Sequence, residues 1–358
     1  MKIGILTFHN AINYGAILQT YATQEIVKGY GHDVEVIDYH NQWIDFVYHI
    51  GLDRFVTRHL RLLPSIITEN IFFIRRKKAF SKFIRKNIKL SPKKYLQKEK
   101  VIINGYDIIL IGSDQLWNKV TTHGFDAVYW GEFQTSPQTR KIAWSISMNN
   151  NALTTEDKHF IADHLRYFTA VSVREKSSQI VLSDLTNISY PHTLDPTLML
   201  SKEKWANLCV PIKEKHYIVV YAVQDEELTI KYARQIASIL NKKLVVVRSY
   251  SKYYFSAENK EHAGPELFLS YIKDADFVVT TSFHGTVFSL LFEKQFVCPI
   301  FRKNERIDSL LDLVCLRSRR MDPSTDFKSL VNIDYSMVSQ KIEEARKETK
   351  VFIEETLS

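Results

Sequence analysis

The residues best placed for chemistry stand where an apolar run gives way to a glycine or a helix start. His284 is foremost, in Thr280-Thr281-Ser282-Phe283-His284-Gly285-Thr286. It falls between a stretch that reads as a buried strand and one with helical spacing. An imidazole there changes protonation near neutral pH, its reference pKa being about 6.5. The free N–H groups and dipole of a helix N-terminus favour a bound anion, and Gly285 would let a ligand approach the backbone. A histidine that only caps or packs the turn fits the same position.

Other candidates share that setting. The loop Phe8-His9-Asn10-Ala11-Ile12-Asn13-Tyr14-Gly15 offers Asn10, Asn13 and Tyr14, neutral groups suited to sugar hydroxyls or a phosphate, or to a structural turn. It is no dinucleotide fingerprint, since only Gly15 stands where three glycines are needed. Ser113-Asp114-Gln115 follows an apolar run in the same way, and Trp117 could stack on a sugar ring or fill the core. Arg174, Arg302, Lys303 and Arg306 come after strand-like runs, where a guanidinium matches carboxylate or phosphate; surface ion pairs are the alternative for each. From the sequence, the twelve histidines are scattered and no metal constellation stands out. Motifs for a nucleophile elbow and a Walker loop are missing.

The elements that must position these groups follow an alternating pattern. Lys2 to Thr7 reads as a strand, Gly15 to Lys28 as a helix with Ile17, Leu18, Tyr21, Ala22 and Ile26 on one face, and Asp33 to Asp38 as a second strand. Further strands are predicted at 106–111, 141–145 and 170–173, with a helix at 177–182. A second series starts at His216, with strands at 216–222, 243–248, 276–280 and 295–300. Its helices are predicted at 226–240, 265–273 and 285–292, and a charged helix runs over 335–356. Alternating strands and helices imply parallel sheets. The prediction is α/β: two Rossmann-like, doubly wound domains facing a cleft, GT-B-like, with a C-terminal helix and ligands beyond the strands' carboxyl ends. The expected division is 1–200, with a basic insertion at 43–100, and 201–358.

Composition bounds the function. The 358 residues carry a net charge of +8, but residues 52–100 hold 15 Lys or Arg against three acidic residues, so the remainder is net acidic. One segment is basic, which argues against nucleic acid along the whole fold and for a local cationic surface. That segment alternates Phe72, Phe73, Phe80 and Phe83 with Arg75, Arg76, Lys77, Lys78, Lys82 and Arg85. It is either a solvated helix or a platform for anionic lipid headgroups. Cys209, Cys298 and Cys315 form no close-spaced pair, which suits a reducing compartment. Neither a signal peptide nor a membrane-spanning run is seen, so a cytoplasmic protein is expected.

Taken in order, several stations resemble the polysaccharide pyruvyl transferase family. They are Asn13-Tyr14-Gly15-Ala16, Ile111-Gly112-Ser113-Asp114-Gln115-Leu116-Trp117-Asn118, Val173-Arg174-Glu175, Asp195-Pro196-Thr197, Ser282-Phe283-His284-Gly285, and Asn304 with Arg306. The resemblance implies pyruvate transfer from phosphoenolpyruvate onto two sugar hydroxyls as a ketal, with no cofactor and no metal. It implies catalytic roles for His284 and Asp114. Arg174, Ser282, His284, Gly285, Asn304 and Arg306 would bind the donor; Asn13, Tyr14, Gly15, Ser113, Asp114 and Trp117 would bind the acceptor. Some members carry Arg-Leu where this chain has Ser282-Phe283, so one cation of the donor site must come from elsewhere. A lipid-linked saccharide in capsular or exopolysaccharide synthesis would suit the basic segment as a peripheral contact with anionic membrane. A GT-B glycosyltransferase using a nucleotide sugar and a non-catalytic glycan- or membrane-binding module are the competing expectations.

Overall fold

The computed structural model describes residues 1–49, 63–96, 101–148, 153–248, 263–324 and 327–358, with side chains from 73 onward in the helix that starts at Leu63. Part of the basic segment, 52–62 and 97–100, therefore lies outside the described residues.

The first sheet contains β1 (Lys2–Leu6), β2 (Asp33–Tyr39), β3 (Leu90–Tyr95), β4 (Ile108–Asp114), β5 (Arg140–Ile146) and β6 (Ala170–Val173). All pairings are parallel and the order is β3-β2-β1-β4-β5-β6. Helices α1 (Tyr14–Gly29), α2 (Gln42–His49), α3 (Leu63–Asn87), α4 (Thr155–Leu165) and α5 (Lys176–Thr186) accompany it. In β4 every residue from Ile108 to Ser113 is buried, as expected of a central strand covered on both faces. The edge strand β3, not predicted from the sequence, contains Pro92 and exposed lysines. Those residues hide the strand pattern and are tolerated only at an edge.

Two short helices, α6 (Pro196–Met199) and α7 (Lys202–Ala206), lead into the second half. Its strands are β7 (Tyr217–Ala222), β8 (Lys243–Arg248), β9 (Phe277–Thr280), β10 (Phe296–Pro299) and β11 (Arg320–Met321), parallel in the order β11-β10-β9-β7-β8. Helices α8 (Glu226–Leu240), α9 (Pro265–Lys273), α10 (Phe283–Leu291) and α11 (Glu305–Leu313) surround it, and α12 (Tyr335–Leu357) ends the chain. These are the two doubly wound halves of the GT-B-like layout that the strand order predicts.

The halves meet in an apolar seam. Tyr14 stacks on Phe268 with ring centroids 4.4 Å apart and donates its hydroxyl to the Ala263 carbonyl at 2.7 Å. Phe80 of α3 and Tyr221 of β7 pack on the same ring, and the Arg76 guanidinium lies over it. Helix α3 buries Arg76, Phe80 and Phe83, and leaves Arg75, Lys78, Lys82, Arg85 and Lys86 exposed. The tail, expected to end the second domain, packs back on residues of the first. Thr349 Oγ1 accepts the Leu194 N–H at 3.0 Å, and Arg346 donates to the Leu198 and Leu200 carbonyls. No helix among the described residues is long and apolar enough to cross a membrane.

Candidate active site

Each sheet reverses its strand order once, between β1 and β4 in the first and between β7 and β9 in the second. Crevices open at the carboxyl ends of such strands. Asp114 ends β4, Arg174 directly follows β6, and His284 lies one residue into α10, just after β9. Strand ends from both sheets thus converge on one buried ionic cluster.

Asp195 is its hub. As the N-cap of α6, it accepts the Thr197 N–H at 2.9 Å and hydroxyl at 2.5 Å through Oδ1. Its Oδ2 accepts Arg174 Nη1 at 2.6 Å and Ser113 Oγ at 3.4 Å, and lies 3.6 Å from His284 Nε2. Burial opposes the Asp195 charge, but His284, Arg174 and Thr197 hold its carboxyl well below the usual range. Arg174 also donates Nε to Glu175 at 3.1 Å and lies over the Phe283 ring at 4.6 Å. Burial works against its guanidinium too, yet Glu175, Asp195 and Asp114 keep it charged more firmly than usual. Within this cluster, two buried polar atoms have no hydrogen-bond partner among the described residues: His284 Nε2 and Arg174 Nη2, the latter 3.8 Å from Asp114. A ligand atom between them would satisfy both.

Arg306, in the first turn of α11, faces this cluster from the second half. Burial and then the like charge of Arg174 lower its proton affinity. Among the described residues it forms no ion pair. Its guanidinium instead meets the Gln115 amide, whose carbonyl accepts at 2.5 and 3.0 Å once the amide is oriented to satisfy its neighbours. A pocket of about 20 Å³, room for one water, lies among Arg174, Asp195, Phe283 and Arg306. Asp114, Glu175 and Asp195 outnumber the two arginines by one charge. A bound anion would therefore draw on Arg306 and on the N-termini of α10 and α11.

The other predicted residues separate into supports and core. Ser282 caps α10, accepting the Gly285 N–H at 3.3 Å, Asn304 caps α11, and Asn13 caps α1. A Cβ on Gly15 would stand 2.0 Å from His284 Nδ1, so the first helix of one half is pressed against the imidazole of the other. On Gly285, a Cβ would meet Thr280 Oγ1 at 2.2 Å; close helix–strand packing therefore accounts for that glycine without a ligand. Two acceptor expectations are corrected. Tyr14 is fully enclosed in the seam. Trp117 is fully buried, stacked on Trp130 at 4.0 Å, with its N–H spent on the Tyr129 carbonyl. Neither ring has a face left for a sugar. Arg302 and Lys303 lie outside the cluster, paired with Asp225 and Glu305.

The sequence reading gave no role to Asp195, Glu175, Gln115 or Phe283. Asp195 carried one usable signal, the Asp-Pro-Thr pattern of a helix N-cap with proline behind it. It also missed a second cluster. His9 Nε2 and His40 Nε2 both meet Oδ1 of Asp38, at 2.8 and 2.9 Å, at the carboxyl ends of β1 and β2. Parallel pairing of those strands unites residues too far apart in sequence to form a motif.

Among solved structures, UDP-GlcNAc 2-epimerase from Methanocaldococcus jannaschii is similar over the whole of both chains, at 9% identity and a TM-score of 0.49. The Neisseria meningitidis UDP-GlcNAc 2-epimerase is similar over 98% of this chain and 93% of its own, at 11% identity and a TM-score of 0.45. A glycosyltransferase from Streptomyces sp. SF2575 gives 13% identity and a TM-score of 0.37 over 98% and 96%. No curated protein matches. Residues 13–298 match the family described as Polysaccharide pyruvyl transferase. That match runs from the start of α1 into β10 and contains the Asp114, Arg174, Asp195 and His284 cluster, so the chain belongs to the polysaccharide pyruvyl transferase family and is an enzyme of that type.

Proposed function

We propose that the chain transfers the pyruvyl group of phosphoenolpyruvate onto two hydroxyls of one sugar, forming a ketal and releasing phosphate. The observation that carries this reading is the approach of His284 to the Asp195–Arg174 pair, with Arg306 beside them in no ion pair among the described residues. His284, protonated and supported by Asp195, gives its proton to the donor's methylene carbon, which becomes the methyl group. The first sugar hydroxyl adds to the neighbouring carbon and its proton returns to the histidine. Phosphate leaves, the second hydroxyl closes the ketal, and that proton departs with the phosphate. The protons balance.

In this reading Arg306 and Arg174 Nη2 hold the donor's phosphate and carboxylate, and Asp114 orients the acceptor. Ser282 and Asn304 act by capping the helices whose N-termini face the anion. Because phosphoenolpyruvate exceeds the pocket of about 20 Å³, Arg306 swings outward or the halves part as the donor enters. The acceptor is a lipid-linked saccharide of capsular or exopolysaccharide synthesis, met at the cytoplasmic face of the membrane. The exposed Arg75, Lys78, Lys82, Arg85 and Lys86 of α3 suit a peripheral contact with anionic lipid, each worth about 1 kcal/mol near the surface.

The deciding experiment incubates the protein with lipid-linked saccharides and either phosphoenolpyruvate or nucleotide sugars. Phosphate release together with a ketal mass on the saccharide supports the reading. Nucleotide release without phosphate release would replace it with glycosyl transfer.

A further inference from the structure

We propose that His9, Asp38 and His40 form a site for a divalent transition-metal ion of the zinc type. The ligand atoms of the three residues lie within 4.8 Å of one another. Both Nε2 atoms converge on the same carboxylate oxygen, at 2.8 and 2.9 Å. For ligands about 2.0–2.1 Å from a metal, that spacing needs only a small outward movement.

The far nitrogens make the case stronger than proximity alone. His9 Nδ1 faces the Thr7 carbonyl at 3.3 Å, and His40 Nδ1 faces Asp45 Oδ2 at 2.8 Å. Metal-bound histidines are oriented in this way, with the distal N–H given to a carbonyl or carboxylate so that the other nitrogen offers its lone pair. Asn10 Nδ2, which also lies 2.9 Å from His40 Nδ1, donates to the other oxygen of Asp45, fixing that carboxylate. Two imidazoles and one carboxylate suit zinc and its neighbours, and are a poor set for calcium or magnesium, which prefer oxygen.

The surroundings permit entry. His9 is buried, whereas the Asp38 and His40 side chains keep 17% and 13% of their surface, so an ion reaches the triad from solvent and retains positions for water or a ligand oxygen. The site stands at the carboxyl ends of β1 and β2, and β1 is the direct neighbour of β4, which carries Asp114. Strands are about 4.8 Å apart, so the ion would share an edge of the sheet with the ionic cluster and remain separate from it.

Titration calorimetry of the chelator-treated full chain with zinc chloride, and the visible spectrum with cobalt(II), test this directly. The expected result is one equivalent of zinc bound at micromolar or tighter affinity, with cobalt bands of a site containing nitrogen ligands. His9→Gln and Asp38→Asn should abolish both signals. Asp45→Asn leaves all three ligands in place and should weaken binding about 10–100-fold; it keeps the test decisive if a ligand variant fails to fold. Absence of the equivalent in the wild-type chain, or equal affinity in Asp45→Asn and in folded ligand variants, would reduce the triad to a hydrogen-bond network. Metal uptake is read without catalysis, so this outcome is independent of the phosphate-release experiment.

Discussion

His284 Nε2 stands 3.6 Å from Asp195 Oδ2, the oxygen that also accepts a 2.6 Å hydrogen bond from Arg174. The imidazole is thus close enough to feel the carboxylate, while its nitrogen is free to bond something else. Replacing His284 with Gln should lower phosphate release by about 10²–10⁴-fold, the usual range for a general acid or base. Donor binding, measured by titration calorimetry, should weaken without being lost; turnover at the wild-type rate would remove the histidine from the mechanism.

Gly15→Ala pushes a methyl group into that imidazole, at 2.0 Å from Nδ1 before relaxation. The expected cost is about 1–3 kcal/mol of overpacking, with activity lost through displacement of His284. Combining it with His284→Ala should restore the melting temperature and leave activity absent. A double variant as unstable as Gly15→Ala would place the clash elsewhere.

Asp195→Asn leaves the Arg174 guanidinium with one fewer buried partner, a change that typically costs about 3–5 kcal/mol. The acid limb carries a second signature. Since folding depresses the Asp195 pKa, its stabilisation is complete above the unfolded value near 3.9 and is lost as pH falls toward the folded value. Chemical denaturation between about pH 5 and pH 2 should therefore show a shallower loss in Asp195→Asn than in the wild-type chain.

Arg306 offers the opposite case, a charge unpaired among the described residues. Arg306→Leu removes a charge that burial and Arg174 disfavour, together with its Gln115 contacts, so the melting temperature should change little. KM for phosphoenolpyruvate should rise about 10–100-fold, the loss of a charge-assisted contact. An unchanged KM in steady-state kinetics would exclude Arg306 from donor binding.

Lys78, Lys82, Arg85 and Lys86 changed together to Glu should abolish flotation with anionic vesicles. Wild-type flotation should itself weaken at high salt. Phosphate release with a water-soluble acceptor should be unaffected, since all four side chains point away from the seam.

Periodicity makes most elements readable in the sequence, and α8, α9, β6 and β8 have the predicted limits. What escaped is specific. Neither β3 nor α11 was predicted: β3 breaks the apolar pattern with Pro92 and lysines, and α11 carries its apolar face on only a few residues among charges. The carboxylate at the centre of the cluster escaped because its partners are Arg174 and Ser113, 21 and 82 residues away, and His284 across the seam. A helix cap in the sequence looks the same whether or not its second oxygen holds an arginine. Tyr14 and Trp117 failed in the other direction: aromatic residues beside polar loops resemble sugar platforms, and only packing reveals that their faces are taken.

The Tyr14–Phe268 stack also governs how the molecule comes apart. Two parallel sheets joined by a wet, polar crevice would melt separately; here a ring from the first half is clasped by Phe268 and Tyr221 of the second. Neither sheet can be lost without exposing the other's apolar surface, so calorimetry should register one endotherm whose van't Hoff and calorimetric enthalpies agree. Tyr14→Ala should split it. Thermal inactivation would then coincide with global melting in the wild-type chain and precede it in the variant, because the ionic cluster draws on both sheets.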